Sequence, residues 1–297
     1  MTSPTRALFE AELLSFLNSD ESHFRDPIDC LAPDLSPQEG EIISLIVAGL
    51  SYGRVEQIQK SSFDLIKRFE ALSSQNSRLN LSEYLRTQSR ATIKKEVTRA
   101  IKGWKHRLNT DQDMVAFLLA LEAVLKKHQS IARLYQSTWC ESPKEHLILF
   151  VDSLLGLKAN HKRASTRTTD GPWKGTGVQW FAPSPRDGGT CKRLLMWLRW
   201  VIRKDRFDKG YWQDLSILNS SLKLPEASRL FVPVDTHILK WAKQEGVVTT
   251  LSPTWKTTEE VTAYFKKICP EDPLRFDFMI CHEGMRVFRL SQKPLER

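Results

Sequence analysis

The chain has 297 residues, of which 44 are Lys or Arg and 35 are Asp or Glu, so its formal net charge is +9. Hydrophobic residues make up 41% and charged residues 27%, a composition typical of a globular protein that excludes a fibrous or wholly disordered chain. The longest apolar stretches, 42–50 and 147–157, are too short to span a membrane. The N-terminus has no secretory signal pattern, so we expect a cytoplasmic protein without a membrane partner.

The cysteine pattern argues against a metal centre. The five cysteines lie far apart, and no CxxC or closely spaced histidines accompany them. Structural zinc sites and cysteine-ligated iron–sulfur clusters need closely spaced ligands. We therefore expect no metal, no metal cluster and no cofactor, and an odd number of scattered cysteines is typical of a reducing cytoplasm.

The positive charge is concentrated in one segment. Residues 158–204 contain eleven Lys or Arg against two acids, Asp170 and Asp187, so this segment alone carries +9 and the rest of the chain is neutral. A local basic region is typical of a nucleic-acid binder, although a solvated basic loop has the same composition. Its first part, residues 158–189, is rich in Gly, Pro, Ser and Thr and predicts a long loop.

Helical periodicity runs through most of the chain and strand-like alternation is scarce, which predicts an all-α fold. The first strong helix is an apolar one over 42–50 that ends near Gly53, and the clearest is 110–127, where Thr110 and Asp113 have capping-box spacing. Further helices are predicted over 145–157, over 191–203, over 236–245 between Asp235 and Gly246, from a capping box of Thr257 and Glu260, and from Pro273 to Gly284.

Two of these helices begin with chemically useful groups. Gly188 and Gly189 mark a tight turn just before Lys192, which lies in the first turn of its helix. An amine in that position can act as a nucleophile. Asp235 lies in FVPVDTHI (231–238), at the start of the next helix. On spacing alone, a solvated lysine and a helix N-cap are the better explanations.

These residues resemble the core of the helix-hairpin-helix DNA glycosylase superfamily, which includes endonuclease III and the 8-oxoguanine DNA glycosylases. The motif Val-Pro-Val-Asp-x-His is similar to the corresponding motif of the 8-oxoguanine enzymes. A wider likeness, to an uncharacterised bacterial branch closest in layout to the archaeal 8-oxoguanine type, covers most of the chain. It is carried by residues 41–58, 104–121, 191–212, 232–238 and 270–278.

The chain also departs from the superfamily pattern. The usual Leu-Pro-Gly-x-Gly hairpin is absent, and only Gly188 and Gly189 remain of it. The spacing from Lys192 to Asp235 is longer than usual, which marks residues 203–229 as an insertion. Two other lysines, Lys204 and Lys209, are therefore alternatives for the nucleophile.

The resemblance implies a single catalytic unit over residues 1–297, with two helical subdomains and an active-site cleft between them. A central subdomain over about 55–205 would end in the hairpin and the Lys192 helix. A second one, formed by about 1–54 and 206–297, would carry Asp235 and the helix of the base pocket. The protein would act as a monomer on double-stranded DNA containing a damaged base, at the bacterial nucleoid.

The implied activity is that of a DNA glycosylase with AP lyase activity, which removes an oxidised purine, with 8-oxoguanine as the first candidate. The base would be flipped out of the duplex. Asp235 would stabilise the cationic sugar, and Lys192 would attack C1′, form a Schiff base and lead to β-elimination. A monofunctional glycosylase for another base, such as an alkylated one, and a non-catalytic helical DNA-binding module are the alternatives.

The resemblance also implies DNA contacts outside the catalytic pair. Tyr52 or Arg54 would fill the gap left by the flipped base, although Gly53 alone could account for this segment as a helix C-cap. His237 would contact a phosphate or serve only as a polar helix residue. The remaining predicted DNA-binding residues are Gly188, Gly189 and Arg193.

The base pocket is predicted on the last helix, where Asp277, Phe278 and Cys281 project within about one turn. Phe278 would stack on a purine, and Asp277 would accept hydrogen bonds from a base edge. For either Phe278 or Cys281 taken alone, core packing is the better explanation. Asp277 is harder to place in a core, because a carboxylate among apolar residues needs a partner or a task.

Overall fold

A computed structural model describes residues 4–18, 26–73, 79–157, 168 and 171–292, with side chains as far as residue 285. In these ranges the chain forms thirteen α-helices and one antiparallel sheet of two short strands, β1 (Lys105–His106) and β2 (Asn109–Thr110), which confirms the all-α class. The helices are α1 (Pro4–Leu17), α2 (Pro37–Leu50), α3 (Val55–Glu70), α4 (Leu81–Thr87), α5 (Arg90–Ala100), α6 (Asp111–His128), α7 (Ile131–Ser137), α8 (Pro143–Leu154), α9 (Lys192–Ile202), α10 (Tyr211–Leu218), α11 (Thr236–Gln244), α12 (Trp255–Ile268) and α13 (Asp277–Gln292).

Local capping explains where several predicted helices begin. Thr110 and Asp113 form the predicted capping box of α6, each side chain bonding to the other residue's backbone N–H. Asp235 caps α11 as predicted, and α2, α8 and α9 also confirm predicted helices. At these positions, short-range hydrogen bonds and apolar periodicity were sufficient to predict the helices.

The predicted start of α12 was wrong. The helix begins at Trp255, and the side chain of Thr254 accepts the backbone N–H of Thr257. Thr257 is therefore the residue that is capped, and it does not form the predicted capping box with Glu260. Two threonines with the same spacing compete for the cap, and the earlier one takes it.

The predicted bounds of the last helix were also wrong. The Oδ1 of Asp272 accepts the N–H of Leu274 at 3.2 Å and closes a separate turn, so α13 begins only at Asp277. Gly284 lies inside the helix and does not end it. A Cβ at Gly284 would lie 2.8 Å from Cβ of His237, so this glycine permits α13 and α11 to approach closely.

The middle of the fold is α2, which is buried along most of its length. It packs against α9 and α10, and a Cβ on Gly40 would lie 2.4 Å from the ring of Tyr211. Glu41 is fully buried in this helix, and its carboxylate accepts the first N–H groups of α7, those of Ile131 (2.9 Å) and Ala132 (3.1 Å). One connected apolar cluster includes residues from α1 to α13, and the division into two subdomains stays a prediction.

The predicted basic loop, 158–189, is described in part. Residues 158–167 and 169–170 lie outside the described part of the chain. The described remainder contains short 3-10 helices at Gly171–Trp173, Val178–Trp180 and Pro185–Asp187. Trp173 is buried, and its Nε1 donates to the carbonyl of Leu155 at 2.5 Å, so this end of the segment is fastened to the end of α8.

Candidate functional site

Lys192 is the first residue of α9, and a turn of left-handed residues leads into it. Gly188 has a φ of +75°, and its carbonyl accepts the N–H of Trp255 at 2.7 Å. Cys191, the residue before the helix, has a φ of +53°. The half-buried Lys192 side chain ends with Nζ 3.2 Å from Sδ of Met196, one turn further along the helix. A thioether is a weak acceptor, so this contact does not fix the amine strongly.

Asp235 is held by the N-terminus of α11. Its Oδ1 accepts the backbone N–H groups of His237 at 2.8 Å and Ile238 at 2.9 Å. The buried segment before it is anchored where the N–H of Val232 donates to Oγ1 of Thr262 at 3.0 Å. The backbone therefore occupies Oδ1, and Oδ2 is the oxygen available to other groups.

Cys281 on α13 connects the two predicted catalytic residues. Its thiol donates to Oδ2 of Asp235 over 3.0 Å. Burial raises the pKa of Cys281 well above its usual value; the Asp235 carboxylate raises it further, whereas the Lys192 ammonium lowers it. Lys192 and Asp235 form no direct ion pair in the described chain, but their charges act on the same thiol. The fold therefore brings the predicted lysine, aspartate and pocket cysteine together.

An ion pair joins α9 to α13 near both residues. Arg199, seven residues after Lys192, donates to Oδ2 of Asp277 at 3.1 Å, and Asp277 precedes Cys281 by four residues. With a rise of about 1.5 Å per residue, Lys192 and Cys281 lie about 10 Å and about 6 Å along their own helices from this pair.

Asp277 belongs to a buried ionic network. Its side chain is 1% exposed, and Arg199 is bonded to both Asp277 and Asp208, the latter over 2.9 Å from Nε to Oδ1. Arg203 extends the network to Asp208 and Asp272. Burial raises the pKa of Asp277, and Arg199 opposes that rise. Arg199 is thus the partner that Asp277 was expected to need. The other carboxylate oxygen of Asp277, Oδ1, has no hydrogen-bond partner among the described residues.

Phe278 is packed between other rings. The ring of Phe207 is stacked on that of Phe278, with the two centroids 4.0 Å apart. The ring of His282 is also stacked on Phe278, with a centroid separation of 4.0 Å. Two parallel rings at that separation must lie on opposite faces of Phe278, whose exposed fraction is only 7%. A purine could stack on Phe278 only by displacing one of them, so its predicted stacking role has no open face in this structure.

Tyr52 is attached to the β1–β2 hairpin. Its hydroxyl donates to Oδ1 of Asn109 at 2.7 Å and lies 3.0 Å from the carbonyl oxygen of His106. At the hairpin tip, Arg107 has a φ of +52° and its guanidinium lies 5.6 Å from the centre of the Tyr52 ring. The neighbouring Leu108 is 59% exposed. The sequence did not predict the hairpin, because two-residue strands leave no alternating pattern.

Arg193 links the Tyr52 cluster to the start of α9. Its Nη1 donates to the carbonyl of Gly49 at 2.8 Å, and its guanidinium lies 5.0 Å from the ring centre of Tyr52 and 5.7 Å from that of Trp180. Burial lowers the pKa of Arg193 to about 10. Arg193 is therefore engaged within the protein, and it ties the residue next to Lys192 to the hairpin.

The other predicted DNA contacts lie in different surroundings. Arg54 is exposed at the start of α3, and Gly188 is exposed, while Gly189 forms a bridge with Thr254 before α12. His237 packs against α13 and lines a cavity of about 830 Å³ between α1, α11, α12 and α13. In the described part of the chain, no contact joins these residues and Tyr52 into one continuous patch.

The alternative lysines and several other basic residues of the 158–204 segment lie away from Asp235 and Cys281 in their contacts, and most of them pair with acids. Lys204 forms an ion pair with Asp214 at 2.6 Å, and Lys209 is exposed. Arg186 pairs with Asp152 at 2.5 Å, and Arg199 and Arg203 belong to the ionic network. Part of the local positive charge is therefore neutralised by acids from elsewhere in the chain, which weakens the argument from net charge alone.

Neither a metal centre nor a membrane-spanning helix occurs in the described ranges. No cluster of three or more His, Cys, Asp or Glu side chains is arranged to hold a metal ion there. None of the described helices has the length and apolar character that crossing a membrane requires.

Comparison with known protein families identifies the class of this chain. Residues 26–286 match a family described as "Protein of unknown function (DUF2400)". The match covers most of the chain, including Lys192, Asp235 and Cys281, so the protein belongs to the DUF2400 family. No curated protein and no solved structure matches the sequence significantly.

Proposed function

We propose that the protein is a DNA glycosylase with AP lyase activity that removes an oxidised purine, with 8-oxoguanine as the first substrate to test. The observation that carries the proposal is that the Cys281 thiol bonds to the Asp235 carboxylate at the start of α11, while the Lys192 ammonium, at the start of α9, acts electrostatically on the same thiol. In this proposal the fold is of the helix-hairpin-helix glycosylase type, with two subdomains and a cleft. The protein is a monomer that acts on duplex DNA in the cytoplasm, at the nucleoid.

The first chemical step breaks the bond between C1′ and the flipped base. The bonding electrons leave with the base, which takes up a proton, and positive charge develops on the sugar. Asp235 is a carboxylate with Oδ1 fixed by two backbone N–H groups, so its orientation is set before the charge forms. Such a preorganised negative charge stabilises a cationic transition state.

The second step uses the lysine. The neutral amine of Lys192 attacks C1′ of the cationic sugar and forms a C1′–N bond. The bond between C1′ and O4′ then breaks as O4′ takes up a proton from the amine, which opens the ring and leaves a protonated imine. Removal of a proton from C2′ then expels the 3′ phosphate, which cuts the strand. The weak contact of Lys192 with Met196 is easily exchanged for such a reaction.

Basic and aromatic groups near the start of α9 support a nucleic-acid substrate. Arg193 follows Lys192 directly, and the hairpin that it reaches through Tyr52 carries Arg107 and the exposed Leu108. An exposed arginine such as Arg107 can contact phosphates, and an exposed apolar side chain at a hairpin tip can contact unstacked bases.

The test is borohydride trapping on duplexes that carry 8-oxoguanine opposite each of the four bases, with base release measured separately. A covalent adduct with the wild-type protein is expected. Lys192→Gln should abolish it, and Asp235→Asn should slow base release by about a hundredfold or more, because a charge that stabilises the transition state is lost. The matched control is Lys204→Gln, which removes a lysine whose partner is Asp214.

Three results would contradict the proposal or part of it. A folded wild-type protein that neither releases a base nor forms an adduct on a panel of oxidised and alkylated lesions is not a glycosylase. Salt-dependent DNA binding that is unaffected by Asp235→Asn, with no chemistry, would indicate a DNA-binding module instead. Loss of the adduct in Lys204→Gln or Lys209→Gln but not in Lys192→Gln would assign the nucleophile to the other lysine.

A second candidate is a monofunctional glycosylase for another base, such as an alkylated one. The observation that favours it is that Nζ of Lys192 contacts Met196 on its own helix and forms no ion pair with Asp235. Base release from an alkylated substrate without strand cleavage, unaffected by Lys192→Gln, would identify this activity.

A further inference from the structure

The Asp235 carboxylate has one oxygen whose orientation the helix does not fix. Two backbone N–H groups bond to Oδ1, those of His237 and Ile238. Among the described residues, the partner of Oδ2 is the thiol of Cys281, at 3.0 Å. A thiol has one proton to donate, and an ionised carboxylate can only accept, so the direction of this bond is defined.

The position of Cys281 is itself fixed from both sides along α13. Asp277, four residues earlier, is bonded to Arg199 of α9. Gly284, three residues later, lies so close to His237 of α11 that a Cβ would be 2.8 Å from Cβ of that histidine. Residues spaced by three and four lie on one face of a helix. The face of α13 that carries the thiol is therefore held against both helices that carry the catalytic pair.

Charged groups from three parts of the chain act electrostatically on the thiol. They are Asp235 at the start of α11, Lys192 at the start of α9, and Asp26 in the segment before Pro27. Burial and the two carboxylates raise the pKa of Cys281, and this outweighs the opposite effect of Lys192. The thiol therefore keeps its proton at neutral pH and remains a donor.

From this geometry we infer that Cys281 is a positioning residue, whose thiol holds Oδ2 of Asp235 in place. The inference rests on the proposed glycosylase function and assigns to Cys281 a role different from contact with the base. Without the thiol, the free oxygen of Asp235 should lose its fixed direction.

The experiment compares Cys281→Ala, which removes the donor, with Cys281→Ser, which replaces it by a hydroxyl donor. Single-turnover base release is measured for the wild type and both variants. A hydrogen bond to a charged group corresponds to about tenfold in rate. Cys281→Ala should release the base about tenfold more slowly, and Cys281→Ser should restore the rate. The matched control is Cys269→Ala, which removes a fully buried thiol at the end of α12.

A second measurement detects the bond without activity. The S–H stretching band of Cys281 is obtained as the difference between the infrared spectra of the wild type and Cys281→Ala. A thiol bonded to a carboxylate absorbs at lower frequency than a free one, and Asp235→Ala should shift the band back. A band already at the free-thiol frequency in the wild type would overturn the inference.

The outcomes separate this inference from the proposed function. An active wild type with an unchanged rate of base release in Cys281→Ala overturns the positioning role. So does an equal loss of rate in Cys281→Ala and Cys281→Ser, because that result indicates packing alone. A shifted S–H band in a protein that is inactive on all lesions overturns the proposed function, and the catalytic role of Cys281 with it, although the bond itself is then established.

Discussion

Arg199 makes the ionic network between α9 and α13 testable by a single substitution. Arg199→Met keeps the length of the side chain but leaves the Asp277 carboxylate, 1% exposed, without the ion pair at 3.1 Å. Removing one partner of a buried ion pair costs about 3–5 kcal/mol, a large share of the 5–15 kcal/mol that stabilises a typical domain. We expect a loss of that size in the free energy of unfolding, measured by urea titration with tryptophan fluorescence.

The pH dependence of this loss has a definite sign. Burial already raises the pKa of Asp277, and removal of the Arg199 charge should raise it further. A carboxyl group with a raised folded-state pKa contributes stability at low pH that is lost as the pH increases. The deficit of Arg199→Met should therefore be smaller at about pH 5 than at about pH 7.

Two further variants complete the test. Adding Asp277→Ala to Arg199→Met removes the unpaired charge and should recover part of the loss. Arg68→Met removes an exposed pair with Asp64, at 3.0 Å within one turn of α3, and should cost less than about 1 kcal/mol. If Arg199→Met costs no more than Arg68→Met, the network does not hold α9 and α13 together as described.

Three other predictions concern the packing around the site and the core. Gly284→Ala places a Cβ 2.8 Å from Cβ of His237, so it should lower stability by about 1–3 kcal/mol and slow base release; an unchanged melting temperature would show that α11 and α13 are not in close contact. Glu41→Ala leaves three buried N–H donors, including Nε1 of Trp212, without their acceptor, and should cost about 3 kcal/mol or more by urea titration; a loss below about 1 kcal/mol would mean that water replaces the carboxylate. Burial raises the pKa of Glu41 to about 7 and that of Asp208 to about 6, so their contributions are present at low pH and are lost as the pH rises; urea midpoints should fall between about pH 5 and about pH 7.5, less so in Glu41→Ala, and midpoints that rise would contradict this sign.

Local signals in the sequence were sufficient for much of the helical framework. The capping box of Thr110 and Asp113 and the N-cap at Asp235 are formed by residues two or three positions apart, and both are confirmed. Errors arose where a distant group decides the outcome. Glycine is the residue type that commonly ends a helix, but Gly284 lies inside α13, where it packs against His237 of α11.

The candidate site shows the same division. Helical spacing correctly placed Asp277 and Cys281 one turn apart on α13, but it could not indicate which element each would meet. Arg199 is 78 residues from Asp277, and Asp235 is 46 residues from Cys281. Phe278, one position further round the helix, meets Phe207 from the segment that the sequence marked as an insertion. Partners of this kind depend on the tertiary packing of helices, for which a single sequence carries no direct signal.

The N-terminal helix α1 has a practical consequence for work on shortened versions of the chain. It lies before residues 26–286, the range that defines family membership, yet Phe9 is buried with its ring 5.1 Å from Phe276 and 6.0 Å from Phe265. Trimming the protein to the family range would leave these aromatic surfaces facing water. Such a truncated chain should aggregate more readily, so expression boundaries for this protein are better set upstream of Pro4.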